Sequence, residues 1–277
     1  MSVISVLILT LNEELNLPRC LASLGWCDDV VVLDSLSSDG TQDIAIDGGA
    51  RVFERSFDNY AAQRNYGLKE ISYKHPWVLM VDADEVVPSE LLGEMRSAIA
   101  QADRATTLYR MRRKDHFLGK WIKRSSGYPT WFGRLVRPDE VKVEREINEE
   151  YVTDGQVAQL QEHLIHYPFS KGITYWFERH NRYSSMEAKA LVDEARESIP
   201  WRDVFSGDPT ARRKALKQLA YRLPCRPWLV FAYLLFFRLG FLDGRPGLAY
   251  ATMRKSYETM IDLKVMELKR REKHKPI

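Results

Sequence analysis

The sequence predicts an α/β domain with a mostly parallel central sheet and flanking helices, followed by a helical C-terminal region. Three short apolar, β-rich runs, SVLILTL, VVVLD and VLMVD, alternate with segments of helical character in the first part of the chain. Continuous apolar strands of this length are typical of a parallel sheet covered by helices on both faces. From residue 170 onward the pattern becomes almost entirely helical, which predicts a domain boundary between residues 169 and 170.

The composition is that of an ordinary globular protein. Its 277 residues are 45% hydrophobic and 29% charged, which is enough apolar sequence to bury a core. The formal net charge of +3 is too small to indicate nucleic acid, and no nucleic-acid partner is expected. Cys20, Cys27 and Cys225 form neither a paired framework nor a zinc spacing, so a reduced, cytoplasmic chain is expected. Neither a signal peptide nor a membrane-spanning run of about 20 apolar residues is expected.

The elements of the first domain, residues 1–169, are predicted in β-α-β order with right-handed crossovers. A helix in EELNLPRCLASL lies between the first two strands. A helical turn in DGTQDIAIDGG, a short strand RVFER and a helix in NYAAQRNYGLKEI precede the third strand. Ser89 is the expected N-cap of the next helix, SELLGEMRSAIAQA. The segments TLYRMRRKDHF, LVRPDEVKVE and VAQLQEHLIHY are predicted to form further strands.

The second domain, residues 170–277, is predicted to contain long helices at both of its ends. Between Asp208 and Asp243 the chain has no acid, although it has seven arginines and lysines there. The apolar run WLVFAYLLFF lies within this basic stretch. A segment that lies in the plane of a membrane surface, through residues 212–242, fits both its length and its flanking charge. A buried core helix and a homo-oligomer interface are the alternatives.

Acidic and polar residues follow the three predicted parallel strands where each strand ends. The segment TLNEE follows the first strand, Asp34 ends the second, and Asp82-Ala83-Asp84 ends the third. Ligands of open α/β sheets bind outside the carboxyl ends of the strands. Carboxylates this close repel one another, so a compensating positive charge is expected, and the Asp-x-Asp element predicts a site for Mg²⁺ or Mn²⁺. A solvated loop is the simpler alternative for the tripeptide alone.

The segments TLNEE, DSLSSDGT, QRNYG and VDADE resemble, in their order and position, the motifs of family 2 glycosyltransferases with the GT-A fold. The resemblance covers residues 1–170 well. Through NRYSSMEAKAL and LGFLDGRPGL, the remainder is similar to a bacterial subgroup that includes lipopolysaccharide core β-1,4-glucosyltransferases. The resemblance implies an inverting enzyme that moves a hexose, with glucose as the first expectation, from a UDP-sugar. The implied acceptor is lipid-linked or a lipopolysaccharide core.

The resemblance also implies a role for each matching position. Nucleotide-sugar binding is implied for Thr10, Asn12, Glu13, Asp34, Asp39, Arg64, Asn65 and Asp82. A divalent cation, Mg²⁺ or Mn²⁺, is implied at Asp82 and Asp84. Ser35 stands where the family often has a second Asp, a departure that is not expected to abolish binding. Taken singly, these residues also have simpler interpretations, such as a turn at Asp39-Gly40.

An inverting transfer needs one carboxylate base near the acceptor hydroxyl and no covalent partner. The subgroup has a His-Glu element within the segment EREINEEYV, at the place where Asn148-Glu149 stands in this chain. We therefore predict Glu149 as the base and Glu146 as the second choice. A solvated acidic surface is the alternative for each of these residues.

Three further residues complete the predicted site. Arg112 and Arg113 are expected on the acceptor side, where a phosphorylated or acidic glycolipid would pair with them, and His166 matches a histidine of the subgroup. A lipid-borne acceptor predicts a peripheral enzyme at the cytoplasmic face of the inner membrane. Two other classes stay open: a catalytically inactive nucleotide-sugar-binding or scaffold protein, and a nucleotidyltransferase. The last normally has a Gly-rich basic loop, whereas TLNEELN contains neither glycine nor lysine.

Overall fold

The computed structural model describes residues 3–144, 150–194, 212, 219, 223 and 225–277. The chain divides into two compact units. The first comprises Met1–His116 and Tyr128–Ser170, and the second comprises Phe117–Gly127 and Lys171–Ile277. The segment Phe117–Gly127, which lies in the middle of the first predicted domain, is therefore part of the second unit.

The strands are short except for two long ones in the second half of the sheet. They are β1 Ile4–Thr10, β2 Val30–Asp34, β3 Arg51–Glu54, β4 Trp77–Asp82, β5 Glu85–Val86, β6 Thr106–Phe117, β7 Lys120–Trp121, β8 Trp131–Val136, β9 Lys142–Glu144, β10 Glu150–Val152 and β11 Gln156–His166. Every run that the sequence predicts as a strand contains one. The predicted α/β class is confirmed.

The main sheet has the strand order β3-β2-β1-β4-β8-β6-β11-β5, and β9 pairs with β10 separately. Strands β3, β2, β1 and β4 are mutually parallel, as predicted, and the register aligns Thr10 with Asp34 and Leu9 with Asp82. Beyond β4 the sheet is mixed, because β8 is antiparallel to both of its neighbours and β5 is antiparallel to β11. The ends of β1, β2 and β4 therefore meet at one edge.

Four helices accompany the sheet of the first unit: α1 Leu17–Ala22, α2 Thr41–Asp47, α3 Tyr60–Glu70 and α4 Ser89–Gln101. Alternate residues of β1 and β4 enter two apolar clusters, one containing Leu17 and Leu91 and the other Leu68. Both faces of the sheet are thus covered, which explains why its central strands are apolar throughout. Pro88 occupies the N-cap position of α4, so the predicted cap at Ser89 is one residue too late.

Helices dominate the described part of the second unit. They are α5 Gly172–Glu194, α6 Arg226–Ala232 and α7 Arg245–Glu272, with a π-helical turn at Tyr233–Phe237 and a 3₁₀ turn at Gly240–Asp243. The ammonium group of Lys264 on α7 donates to Asn181, Ser184 and Ser185 of α5 at 2.6–2.8 Å. The subgroup-like segment NRYSS thus fastens two helices together.

None of the described helices combines the length and the apolar character that crossing a bilayer requires. The predicted in-plane segment, residues 212–242, is described at residues 212, 219, 223 and 225–242. Its contact with a membrane stays a prediction.

Candidate active site

The loops after β1 and β2 are joined by one buried carboxylate. Asp34 Oδ1 accepts from Thr10 Oγ1 at 2.7 Å and from Ser37 Oγ at 2.6 Å. Its Oδ2 accepts from Ser37 N at 2.7 Å and from Gln42 Nε2 at 2.9 Å. Burial alone would raise the pKa of Asp34, but these four donors hold it below the ordinary value. Asp34 thus connects the two loops through hydrogen bonds, and both of its carboxylate oxygens accept from protein donors.

The same two loops interlock through their next residues. Asn12 has a left-handed backbone conformation with φ 53°. Its side-chain Oδ1 accepts from Ser38 N at 2.8 Å, and its backbone N–H donates to Ser37 Oγ at 2.8 Å. The amide of Glu13 donates to Thr41 Oγ1 at 2.7 Å. Asp39 accepts from Glu14 N at 3.2 Å. The predicted nucleotide-binding residues of the two loops therefore form one rigid surface.

A buried charge network surrounds the acids at the end of β4. Asp82 Oδ1 lies 2.8 Å from Arg64 Nη2, and Asp82 Oδ2 lies 2.7 Å from Arg134 Nη2. The second of these nitrogens also lies 2.8 Å from Glu85 Oε1. Burial would raise the pKa of Asp82, but the two guanidinium groups hold it well below its usual range. Arginines therefore supply much of the positive charge that the acids require.

The network continues across β6 to the end of β11. Arg113 Nε lies 3.0 Å from Asp115 Oδ1, and His166 Nδ1 lies 2.7 Å from the same oxygen. His166 Nε2 lies 3.2 Å from Asp84 Oδ2, so its ring bridges two carboxylates. Burial opposes the charged ring, but Asp84 and Asp115 outweigh it and raise the pKa of His166 to about 9. The ring is accordingly an imidazolium at neutral pH.

The QRNYG segment in α3 supports the network from one side. Gln63 Nε2 donates to Ser35 Oγ at 3.1 Å, and Arg64 reaches Asp82. The side chain of Asn65 instead pairs with both backbone polar groups of Val143 in β9, at 2.7 and 2.8 Å. The predicted donor-binding residue Asn65 therefore serves as a fastener between α3 and β9.

The predicted catalytic residues Glu146 and Glu149 lie outside the described residues. The strands on either side of them are described, with Glu144 opposite Glu150 in the antiparallel pair of β9 and β10. In β10, the ring of Tyr151 lies so close to Gly133 that a Cβ at that glycine would approach the ring to 2.8 Å. The described residues Val143 and Tyr151, on either side of segment 145–149, thus contact Asn65 and Gly133, which are the sequence neighbours of Arg64 and Arg134.

The two predicted acceptor-side arginines have different environments. Arg113 belongs to the charge network, where it also lies 3.4 Å from Glu85 Oε1. The guanidinium group of Arg112 lies 5.0 Å from the Trp131 ring centroid and donates to the backbone carbonyl of Gln161. Arg112 thus contacts Trp131 and Gln161, whereas Arg113 contacts the acids of the network.

The acids of the site differ in how well they could hold Mg²⁺ or Mn²⁺, which prefer oxygen ligands. Within the described ranges, no three His, Cys, Asp or Glu side chains are grouped to hold a metal. Asp82 does not fit, because both of its oxygens accept from arginines. Asp84 fits, because its carboxylate lies 3.2 Å from the His166 ring and a carboxylate oxygen suits Mg²⁺ or Mn²⁺. The His166 imidazolium would have to lose its proton before it could itself be a ligand. Such cations usually take one or two carboxylates and complete their shell with waters and substrate phosphates.

Three central members of the site are not predicted from the sequence. Arg134 is buried in β8, Glu85 is buried beside it, and Asp115 holds His166. Arg134 leaves one weak signal, a lone cation within the otherwise uncharged strand WFGRLV. Nothing local shows that its partners lie about fifty positions earlier in the chain.

The family model for glycosyl transferase family 2 matches residues 5–167 of this chain. The lipopolysaccharide core biosynthesis glycosyltransferase LpsC of Rhizobium meliloti is 26% identical over 212 residues, which is 73% of this chain and 77% of that protein. An uncharacterized glycosyltransferase of Rickettsia felis is 26% identical over 208 residues, covering 71% of this chain and 72% of that protein.

Among solved structures, similarity extends to glucosyl-3-phosphoglycerate synthase from Mycobacterium tuberculosis in complex with Mn²⁺, UDP and glucosyl-3-phosphoglycerate. The identity is 26% and the TM-score 0.34, with 40% of this chain and 43% of that chain covered. This chain thus spans less than half of the synthase in the match.

Proposed function

The chain belongs to glycosyl transferase family 2, and on that premise we propose that it transfers a hexose from a UDP-sugar to a lipid-linked or lipopolysaccharide-core acceptor. The transfer inverts the anomeric centre and serves bacterial envelope glycan synthesis, with glucose as the first candidate sugar. One observation carries the proposal most directly. The interlocked loops after β1 and β2 adjoin the arginine-rich acidic site at the end of β4, along one sheet edge.

The donor nucleotide occupies the interlocked loops in this proposal. Thr10, Asn12, Glu13, Asp34 and Asp39 occupy the motif positions implied in base and ribose binding. Because the two oxygens of Asp34 already accept four hydrogen bonds from the protein, its role is to hold the loops in place. Asn12 and Asp39, which are more accessible, are the better candidates for direct contact. Preformed loops of this kind reduce the entropy lost when a ligand binds.

The diphosphate lies beside the charge network. Four carboxylates, Asp82, Asp84, Glu85 and Asp115, face four cations, Arg64, Arg113, Arg134 and His166. A divalent cation, Mg²⁺ or Mn²⁺, at Asp84 with His166 adjacent would add positive charge where the leaving diphosphate develops its negative charge. Arg64 and Arg134 fix Asp82 beside that position. The two arginines thus keep Asp82 ionised and in place, whereas burial raises the pKa of Glu85.

The base of the transfer is Glu149, with Glu146 as the second candidate. Two contacts support this choice of segment. Asn65 is hydrogen-bonded to Val143, which precedes segment 145–149, and the ring of Tyr151, which follows it, packs against Gly133. Both contacts are made by neighbours of residues that bind Asp82. A carboxylate from this segment would remove the proton of the acceptor hydroxyl as the bond to the sugar forms.

The donor proposal is tested by thermal shift of the full chain with UDP, GDP, CMP and dTDP, each with Mn²⁺ and with EDTA. UDP with Mn²⁺ is expected to raise the melting temperature, and a ligand at about 100 times its Kd stabilises by about 2.7 kcal/mol. EDTA and the Asp84→Asn substitution should each remove most of this shift. A UDP shift that is equal in Mn²⁺ and in EDTA would contradict the cation at Asp84, and the absence of a shift with UDP would contradict the donor.

The base is tested by turnover of UDP-glucose and related UDP-sugars with the variants Glu149→Gln and Glu146→Gln. Glu149→Gln is expected to lower kcat by about 100-fold or more while the UDP-dependent thermal shift is retained. The matched control is Glu144→Gln, since Glu144 is an exposed carboxylate in the adjacent strand. Full activity in Glu149→Gln would move the role to Glu146. Binding of UDP by a wild type that turns over no sugar would favour an inactive binding protein.

A further inference from the structure

The second unit exposes a group of large apolar side chains around the end of α6. Phe237 is 80% exposed and Phe236 is 59% exposed in the π-helical turn, where the rings of Phe237 and Tyr233 stack at 6.3 Å. Phe241 and Leu242 follow in the next turn and are about half exposed. Soluble monomers rarely leave large contiguous apolar patches open, and larger patches mark interaction sites. Among the residues that the structure describes, these side chains are therefore not packed into a core as a buried core helix would be.

The hairpin Phe117–Gly127 is fastened to this turn by one buried acid. Asp243 Oδ2 accepts from Arg124 N at 3.0 Å, from Ser125 N at 2.8 Å and from Ser125 Oγ at 2.7 Å. The ammonium group of Lys120 donates to the Asp243 carbonyl at 3.1 Å. At Gly240, a Cβ would approach the backbone oxygen of Leu234 to 2.5 Å and Ser125 Oγ to 2.9 Å, so this position requires glycine. This joint accounts for the motif LGFLDGRPGL.

Both joined segments present an exposed leucine in a left-handed backbone conformation. Leu118, at the hairpin tip, has φ 48° and is 63% exposed, and Leu239 has φ 58° and is 41% exposed. Asparagine or glycine adopts this conformation at lower cost than leucine. In the described part of the chain, neither residue gains burial that would offset this cost. Their apolar character thus requires an explanation outside the folded monomer.

The accessible charge of the two segments is positive. Residues 117–127 and 233–248 contain five cations and one acid, Asp243, which is buried and accepts three hydrogen bonds. The cations are Lys120, Lys123, Arg124, Arg238 and Arg245. A second copy of the chain in a two-fold interface would place this positive surface against itself. Phospholipid headgroups of negative charge complement it.

We propose that the hairpin and the turn together, Leu118–Arg124 and Tyr233–Arg245, form one surface that docks on an anionic phospholipid bilayer. The rings of Phe236 and Phe237 and the two leucines enter the headgroup boundary, and the cations contact lipid phosphates. Asp243 holds both segments in one arrangement, so the surface is preformed. This docking surface lies within the second unit and is independent of the sugar donor.

The test is co-sedimentation of the full chain with vesicles of phosphatidylcholine, with and without about 30% phosphatidylglycerol, at low and high salt. The wild type is expected to bind the anionic vesicles at least 10-fold more tightly than the neutral ones, and less tightly in high salt. The double variant Phe236→Ser, Phe237→Ser should lose at least 10-fold in affinity. Ile46→Ser on α2, whose side chain is 60% exposed in the first unit, is the matched control and should bind as the wild type does.

The charge contribution is tested separately with Arg245→Glu at the first position of α7. A glutamate is favoured at a helix N-terminus, so folding should be preserved. Reversal of one surface charge is expected to weaken binding to anionic vesicles by roughly 10- to 30-fold, at about 1 kcal/mol per charge. Equal binding to neutral and anionic vesicles would overturn the proposal. So would unchanged binding by the double phenylalanine variant, or a dimer that this variant dissociates while no vesicle is bound.

Discussion

The carboxamide of Asn65 pairs with both the amide and the carbonyl of Val143, at 2.8 and 2.7 Å. It thus completes one strand-like pair of hydrogen bonds between helix α3 and strand β9. Arg64, the preceding residue, binds Asp82 at 2.8 Å. Two consecutive residues of one helix therefore join the acidic site to the strand that leads into segment 145–149.

Substitution of Asn65 by alanine should lower the turnover rate without weakening the binding of UDP. Loss of the Val143 bonds would let the predicted base shift, and a misplacement of about 1 Å can cost about 100-fold in rate. The measurement compares kcat with the Kd for UDP. Asn59→Ala is the matched control, because Asn59 caps the same helix through Ala62 N at 2.8 Å and should cost only about 1 kcal/mol of stability. If the affinity for UDP fell in parallel with kcat, Asn65 would bind the donor directly.

Removal of Arg134 should strongly destabilise the first unit. Arg134→Met would leave the buried Glu85 and the half-buried Asp82 with less compensating charge, and breaking a buried pair typically costs about 3–5 kcal/mol. Urea unfolding measures the change. Arg110→Met, in the neighbouring strand β6, is the control and should change the free energy of unfolding by less than about 1 kcal/mol. A loss of similar size in both variants would show that the Arg134 pairs contribute little.

The sequence predicts the sheet edge well because local patterns determine it. The apolar runs of β1, β2 and β4 identify buried strands, and the polar residues after them necessarily reach one edge of a parallel sheet. The expected compensating charge is present, but it comes largely from arginines. The sequence motif assigns Arg64 to this region, whereas Arg134 is invisible because its partners are distant in the chain.

The boundary between the two units likewise depends on residues that are distant in the chain. The hairpin Phe117–Gly127 continues directly from β6, so a local pattern assigns it to the first domain. Its partner, Asp243, lies 118 positions after Ser125, and a single buried carboxylate fastens it to the second unit. Long-range hydrogen bonds of this kind have no periodicity from which they can be predicted.

Acid should destabilise the second unit through His180. Its ring stacks on Trp176 at 3.5 Å, and burial, together with Arg179 and Arg254, lowers its pKa from 6.5 to about 4. In the unfolded chain the histidine binds a proton near pH 6.5. The contribution of the neutral His180 ring to the free energy of unfolding is therefore fully present above pH 6.5 and is lost as the pH falls towards 4. We expect a loss of roughly 1–2 kcal/mol over this window that is absent in His180→Asn. Urea unfolding at pH 7.0, 5.5 and 4.5 measures it, with His274→Asn in the exposed C-terminal residues as the control. Parallel pH profiles for wild type and His180→Asn would contradict the assignment.

Addition of a methyl group at Gly133 should displace the β9–β10 pair from β8. A Cβ there would lie 2.8 and 3.0 Å from ring atoms of Tyr151 and 3.1 Å from Leu108 Cδ1, which is closer than side-chain atoms tolerate. Overpacking of this kind typically costs about 1–3 kcal/mol, and Gly133→Ala should also lower kcat because the predicted base lies in the segment between β9 and β10. Gly93→Ala on α4 is the control, since a Cβ there would meet no atom within 4 Å and should stabilise the helix by about 0.5–1 kcal/mol. Urea midpoints and turnover are measured for both variants. If Gly133→Ala were as stable and as active as the wild type, Tyr151 would not anchor the segment that carries the predicted base.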